Sequence, residues 1–118
     1  MDVETQLTQV FSALADPTRR RILSQLATGP ARVGDVAAQF DVSPPAISQH
    51  LKVLERAGLV SRTAQAQWRT LSLQTEPLEQ ASAWVDAQRR EWNLRLDALE
   101  KHLETMKHAT TTPQKEPS

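Results

Sequence analysis

The residues with the clearest capacity for recognition chemistry lie between positions 44 and 56. On a wheel of about 100° per residue, Pro45, Gln49, Lys52 and Arg56 fall opposite Ile47, Leu51 and Leu54, with Ser48 at the flank and Pro44 at the helix start. A Gln side chain pairs bidentately with an adenine edge. A Ser hydroxyl donates to or accepts from any base, and Pro45 offers apolar surface to a thymine methyl. Lys52 and Arg56, further along, suit phosphate oxygens. This is the chemistry of a helix that lies in a major groove with its N-terminal residues at the base edges. The Pro44-Pro45 pair removes donors, so few hydrogen bonds to bases are expected from that turn. His50 falls near the core side of the wheel and reads as a packed or hydrogen-bonded ring.

Catalytic chemistry has no comparable set. The chain has three glycines and no cysteine. It has no phosphate-cradling loop, no HExxH and no nucleophile elbow. Ser48 and His50 are two residues apart, about 200° around a helix, and form no dyad. The missing cysteines also exclude a disulfide framework, an iron–sulfur cluster and any thiolate metal site.

The elements that would position the recognition face follow from the hydrophobic periods. Leu7, Val10, Phe11 and Leu14 make one face of a helix over roughly Thr5–Leu14. Asp16-Pro17 caps and opens a second helix, with Ile22, Leu23 and Leu26 inward, which stops at Thr28-Gly29-Pro30. Val33, Val36, Ala37 and Phe40 mark a short third helix. A turn at Asp41-Val42-Ser43 leads into the fourth helix, which ends at Gly58. The third and fourth helices form a helix-turn-helix pattern. Leu59–Ala64 and Gln67–Leu73 then read as two strands around Gln65-Ala66, with Leu71 and Leu73 facing the core and Trp68 on the outer face.

From Pro77 to about Lys107 neither Gly nor Pro interrupts, which predicts a helix of about 30 residues, or about 45 Å. Leu78, Val85, Trp92, Leu99 and Met106 recur every seven residues, and Leu96 and Leu103 add a second stripe in the C-terminal half. A domain of about 60 residues cannot bury so long a stripe. A second copy of the chain is the expected partner, and folding back on its own domain is the alternative.

The formal net charge is zero, with 14 basic and 14 acidic residues, but the charges are segregated. Residues 1–16 carry net −3, residues 17–75 carry +5 and residues 76–118 carry −2. The excess sits on the helix-turn-helix and hairpin, as expected of a small DNA reader with an acidic scaffold. A merely soluble basic surface is the other reading of the same sums.

The stretch from Phe11 to Arg62 resembles the ArsR-type winged helix-turn-helix family. The resemblance is carried by LADPTRRRIL (Leu14–Leu23), SPPAISQHLKVL (Ser43–Leu54) and Ala57-Gly58-Leu59-Val60, and it continues into the wing at Gln67-Trp68-Arg69. It implies a mainly α fold with a small β-hairpin and a long C-terminal dimerisation helix. It further implies a sequence-specific DNA-binding transcriptional regulator, a dimeric repressor on an imperfect palindrome, and not an enzyme. Double-stranded DNA would meet Arg32, Pro44, Pro45, Ser48, Gln49, Lys52 and Arg56, and from the wing Arg62, Gln65, Gln67 and Arg69. Arg62 and Arg69 have solvated hairpin charges as their alternative reading. Of Arg19-Arg20-Arg21, one is expected to turn inward and pair with an acid, and at most one or two to reach DNA. The homodimer interface would hold Leu7, Phe11, Leu78, Val85, Trp92, Leu96, Leu99 and Leu103.

Many members of that family sense metals. Their thiolate sites need cysteine, and their carboxylate–histidine spacing is missing among Asp97, Glu100, His102, Glu104 and His108. A metal-independent repressor without a cofactor is therefore expected. A metal-responsive repressor with a carboxylate/His site, a ligand pocket between Trp84 and Trp92, and a protein-binding winged helix are the alternatives. Residues 1–108 are expected to form the winged-helix domain, with dimerisation helices at about 4–15 and 77–107, and residues 109–118 a disordered tail. Neither a membrane span nor a signal peptide is expected, and a cytoplasmic location is expected. The inducing signal is not written in these residues.

Overall fold

The structure is a computed structural model that describes residues 2–65 and 67–115. The elements are α1 (Val3–Leu14), α2 (Pro17–Leu26), β1 (Ala31–Arg32), α3 (Val33–Ala38), α4 (Pro44–Arg56), β2 (Val60–Gln65), β3 (Trp68–Leu73) and α5 (Glu76–Lys115). The chain forms two compact units, one ending at Ser82 and one starting at Ala83.

Side-chain caps set the starts of three helices in the first unit. The Asp2, Asp16 and Ser43 side chains accept from the backbone N–H groups of Thr5, Arg19 and Ala46, so each satisfies a donor that the first turn leaves orphaned. Pro17 and Pro44 stand at first helical positions, where a missing N–H costs nothing. Helix α4 ends at Gly58, whose φ of 78° is a left-handed conformation natural to glycine. The Leu59 N–H then donates to the Leu54 carbonyl at 3.0 Å and turns the chain into β2.

The core belongs to this unit. Val10 and Ala13 of α1, Ile22, Leu23 and Leu26 of α2, Val36 of α3, and Ile47, Leu51 and Leu54 of α4 pack with Leu59, Val60, Leu71 and Ala81. On α1 the buried pair is Val10 and Ala13, while Leu7 and Leu14 are half-buried and Phe11 stays 37% exposed.

The expected two-stranded hairpin is a three-stranded antiparallel sheet in the order β1-β3-β2. In it Ala31 pairs with Leu71 and Arg32 with Thr70, while β2 runs from Val60↔Leu73 to Gln65↔Trp68. A strand of two residues has no period to read. It forms because β3 presents a free edge. The Ala66 half of the expected turn lies outside the described residues.

Helix α5 also departs from expectation. The sequence places its end near Lys107 and a tail from 109, but residues 109–115 continue the helix to Lys115. Each residue added to a nucleated helix gains a backbone bond for the torsions it fixes, and no glycine interrupts the run. Pro113 falls in the last described turn, where its missing N–H removes one helical bond. Residues 116–118 of the expected tail lie outside the described residues. In the second unit Val85, Trp92, Leu96, Leu99, Leu103 and Met106 are all exposed, Trp92 by 60%. Among the described residues no helix is long and apolar enough to cross a membrane.

Candidate nucleic-acid interface

Helix α4 is built to show one polar face. Ile47, Leu51 and Leu54 are buried, and the 3.6-residue period then turns Pro45, Ser48, Gln49, Lys52 and Arg56 outward, while Pro44 is exposed at the helix start. All six expected recognition residues of this helix are exposed, and Pro45, Gln49, Lys52 and Arg56 share one face. Lys52 and Arg56 carry no ion pair among the described residues, so both charges are open to an anion.

The wing contributes less uniformly. Gln67 and Arg69 are exposed near the tip, where Ala64 pairs with Arg69 and Gln65 with Trp68. The Gln65 side chain falls outside the described residues. Arg62 differs from the expected wing contact. It stands opposite Leu71 in mid-strand, and its Nε and Nη2 donate to Glu55 Oε1 at 3.1 and 2.6 Å. Arg62 thus ties β2 to the last turn of α4, and its charge is compensated. No residue spacing points to Glu55, because the pairing joins two elements.

The arginine triplet on α2 is spent within the fold. Arg19 Nε donates to the Ala13 carbonyl at 2.8 Å and Nη2 to the Ser12 carbonyl at 2.9 Å. Arg20 Nη1 donates to the Leu14 carbonyl at 2.7 Å. Two guanidinium groups therefore close the C-terminal turn of α1, where carbonyls lack partners and the helix dipole favours cations. Arg21 lies 4.9 Å from the centroid of the Phe40 ring. The expected inward arginine is Arg19, but its main partners are carbonyl oxygens rather than an acid.

His50, on the inner flank of α4, joins this cluster. Its Nδ1 is 3.3 Å from Arg19 Nη1 and 3.8 Å from Asp16 Oδ2. The ring is hydrogen-bonded and half-buried, as its position on the wheel indicates. The Asp16 carboxyl is held below the ordinary carboxylate range, first by the Arg19 backbone N–H it accepts, with His50 and Arg19 adding to the effect against the opposing cost of burial.

Arg32 sits at the junction of β1 and α3, where it is the N-cap residue without a side-chain capping bond. Its guanidinium carbon lies 3.9 Å from the centroid of the Trp68 ring. Trp68 does cover the outer face of the wing, as its strand parity implies. That it carries Arg32 has no sequence signal, since β1 itself is not legible there.

On the second unit a groove lies beside Trp92, one of the two tryptophans of the alternative ligand-pocket reading. The groove of about 390 Å³ beside Trp92 is lined by Val85, Gln88, Arg89, Glu91 and Arg95, without Trp84. Among the described residues no group of three or more His, Asp or Glu side chains is placed to hold a metal ion.

The comparisons bear on what this surface serves. Residues 16–62 match the profile of the ArsR family of bacterial regulatory proteins. The chain is 39% identical over 79 residues to the transcriptional repressor SdpR of Bacillus subtilis (strain 168), spanning 67% of this chain and 88% of that protein. The chain belongs to the ArsR family.

An ArsR-family transcriptional regulator of known structure, RHA00566, superposes with a TM-score of 0.72 at 38% identity, covering 76% of this chain and 93% of that one. An ArsR-like transcriptional regulator from Rhodococcus sp. RHA1 gives a TM-score of 0.75 at 28% identity, covering 83% and 92%. The HTH-type transcriptional regulator Rv2034 of Mycobacterium tuberculosis is 56% identical over 52 residues, about half of its length. As an ArsR-family member the chain is a DNA-binding transcriptional regulator and not an enzyme. The family match begins at the Asp16 cap and ends at Arg62, so it contains α4 and leaves the wing tip and α5 outside.

Proposed function

We propose that two copies of this chain bind double-stranded DNA at an imperfect palindrome and repress transcription by occupying a promoter. The observation that carries the reading is the single exposed face of α4, where Ser48 and Gln49 stand toward the N-terminal end and Lys52 and Arg56 follow without acidic partners among the described residues. In this arrangement Gln49 and Ser48 read base edges, Pro44 and Pro45 make apolar contact, and Lys52 and Arg56 meet phosphates. Gln67, Arg69 and Arg32 lie with the wing and contact the adjoining backbone or minor groove. Arg62 supports the recognition helix through Glu55 and contacts DNA least.

Homodimerisation through α1 and α5 is part of the proposal. An exposed stripe of Val85, Trp92, Leu96, Leu99 and Leu103 on a 40-residue helix is the kind of surface that a second copy covers. Phe11, exposed on α1, is proposed as a further dimer contact of the first unit. Leu7 and Leu78 are half-buried against the core and contribute only their outer edges. A dimer of this kind sets two recognition helices about 34 Å apart, one duplex turn. Regulation independent of metal is supported by the absence of cysteine. Action in the cytoplasm follows from the role.

Mapping the DNA protected upstream of the chain's own gene tests the reading. Two protected half-sites one turn apart are expected. Uniform, sequence-blind protection, or none, overturns it.

A further inference from the structure

The register of the small sheet creates a contact whose use extends the DNA-binding reading and rests on it. Arg32 of β1 stands opposite Thr70 of β3. Trp68, two residues earlier on β3, projects from the same face as Thr70 and is the diagonal neighbour of Arg32. The 3.9 Å separation of guanidinium carbon and ring centroid is a close cation–π stack. Trp68 is still 46% exposed, and Arg32 is exposed as well.

Three other arginines of this unit are satisfied differently. Arg62 has a carboxylate, and Arg19 and Arg20 have backbone carbonyls. Arg32 has neither among the described residues. Its partner there is an aromatic face, which orients the charge without neutralising it. A guanidinium stacked on a ring keeps its N–H groups at the edge of the plane, in the fork that matches a phosphate. Stacking also removes rotamer freedom before any ligand arrives, and that lowers the cost of ordering a long side chain on binding.

We propose that Trp68 is a positioning residue for DNA binding: it holds the Arg32 guanidinium stacked and edge-outward, as a preformed clamp for a backbone phosphate beside the wing. Trp68 acts through Arg32 and reads no base. Arg69, next to Trp68, alternates to the opposite face of the strand and is not part of this clamp.

The test is a double-mutant cycle on the full chain, with a labelled duplex from upstream of its own gene, read by anisotropy over a range of salt. Trp68→Leu keeps apolar bulk and removes the π face. It is expected to weaken binding about two- to fivefold when Arg32 is present, the size of an exposed cation–π contact. In an Arg32→Ala background the same change is expected to cost nothing further. Arg32→Ala alone should reduce the log–log salt slope by about one, whereas Trp68→Leu leaves it unchanged. Trp68→Phe should recover part of the loss, and it carries the same cycle if the leucine variant melts early. An equal loss in both backgrounds, or no loss, overturns the positioning role while wild-type binding leaves the DNA reading standing. A wild-type chain that binds no DNA overturns both.

Discussion

Replacing Arg19 separates two uses of a basic triplet that look alike in a sequence. Arg19→Met keeps the aliphatic stem and deletes the fork that holds the Ala13 and Ser12 carbonyls at 2.8 and 2.9 Å. Hydrogen bonds to charged groups contribute about 1.5–3 kcal/mol each in net terms. Arg19 is half-exposed, so solvent screening brings the pair together to about 2 kcal/mol. Removing them leaves the end of α1 open and takes away the Arg19 neighbour of His50 Nδ1. For a domain of this size the loss corresponds to a melting shift of about 10 °C. Urea denaturation and thermal melts at one fixed protein concentration measure it, since dimerisation makes apparent stability depend on concentration. Arg19→Lys should recover little, because an ammonium lacks the planar fork. The salt slope of DNA binding should match the wild type in both variants. Unchanged stability together with a slope reduced by about one would make Arg19 a phosphate contact and refute this assignment.

Three further outcomes follow from the same geometry. Asp16 has a lowered folded-state pKa, so its stabilising effect is full above the ordinary carboxylate value of 3.8 and is lost as pH falls through the lowered value. Asp16→Ala should therefore cost about 1 kcal/mol at neutral pH, and the gap to wild type should close in acid; an equal gap at both pH values in urea melts would contradict the cap. Trp92→Ala should weaken self-association at least about thirtyfold in sedimentation velocity, the loss expected of a central aromatic anchor, and an unaltered profile would count against the seam. Gln49→Ala should relax preference at one base position by about 1–3 kcal/mol while leaving the dimer intact, read by competition with single-base duplex variants; an unchanged preference removes its base-reading role.

Most of the scaffold is legible in the sequence because it is local. The Asp16-Pro17 and Ser43-Pro44 starts, the Gly58 stop and the period of Ile47, Leu51 and Leu54 each act within a few residues, and the helices follow them. The exposed face of α4 comes with that period. The parts that are not legible depend on contacts between elements. β1 exists only because β3 offers an edge, and the Arg32–Trp68 stack exists only because β1 does. The Arg62–Glu55 pair spans a strand and a helix, so Arg62 reads as a wing cation until its partner is seen. The Arg19 and Arg20 forks reach carbonyls on a different helix, which no residue pattern announces. The length of α5 departs for a different reason: polar Thr and Pro residues signal a stop, yet propagation of a long helix outweighs weak local preference.

The most direct test of the account is the salt dependence of binding to the chain's own upstream duplex and to a scrambled duplex of equal length. The account predicts tighter binding to the upstream duplex, and a log–log slope near −0.9 per phosphate contacted that becomes shallower by about one in Lys52→Ala and in Arg56→Ala. Equal affinity for both duplexes, or a slope indifferent to both substitutions, would contradict it.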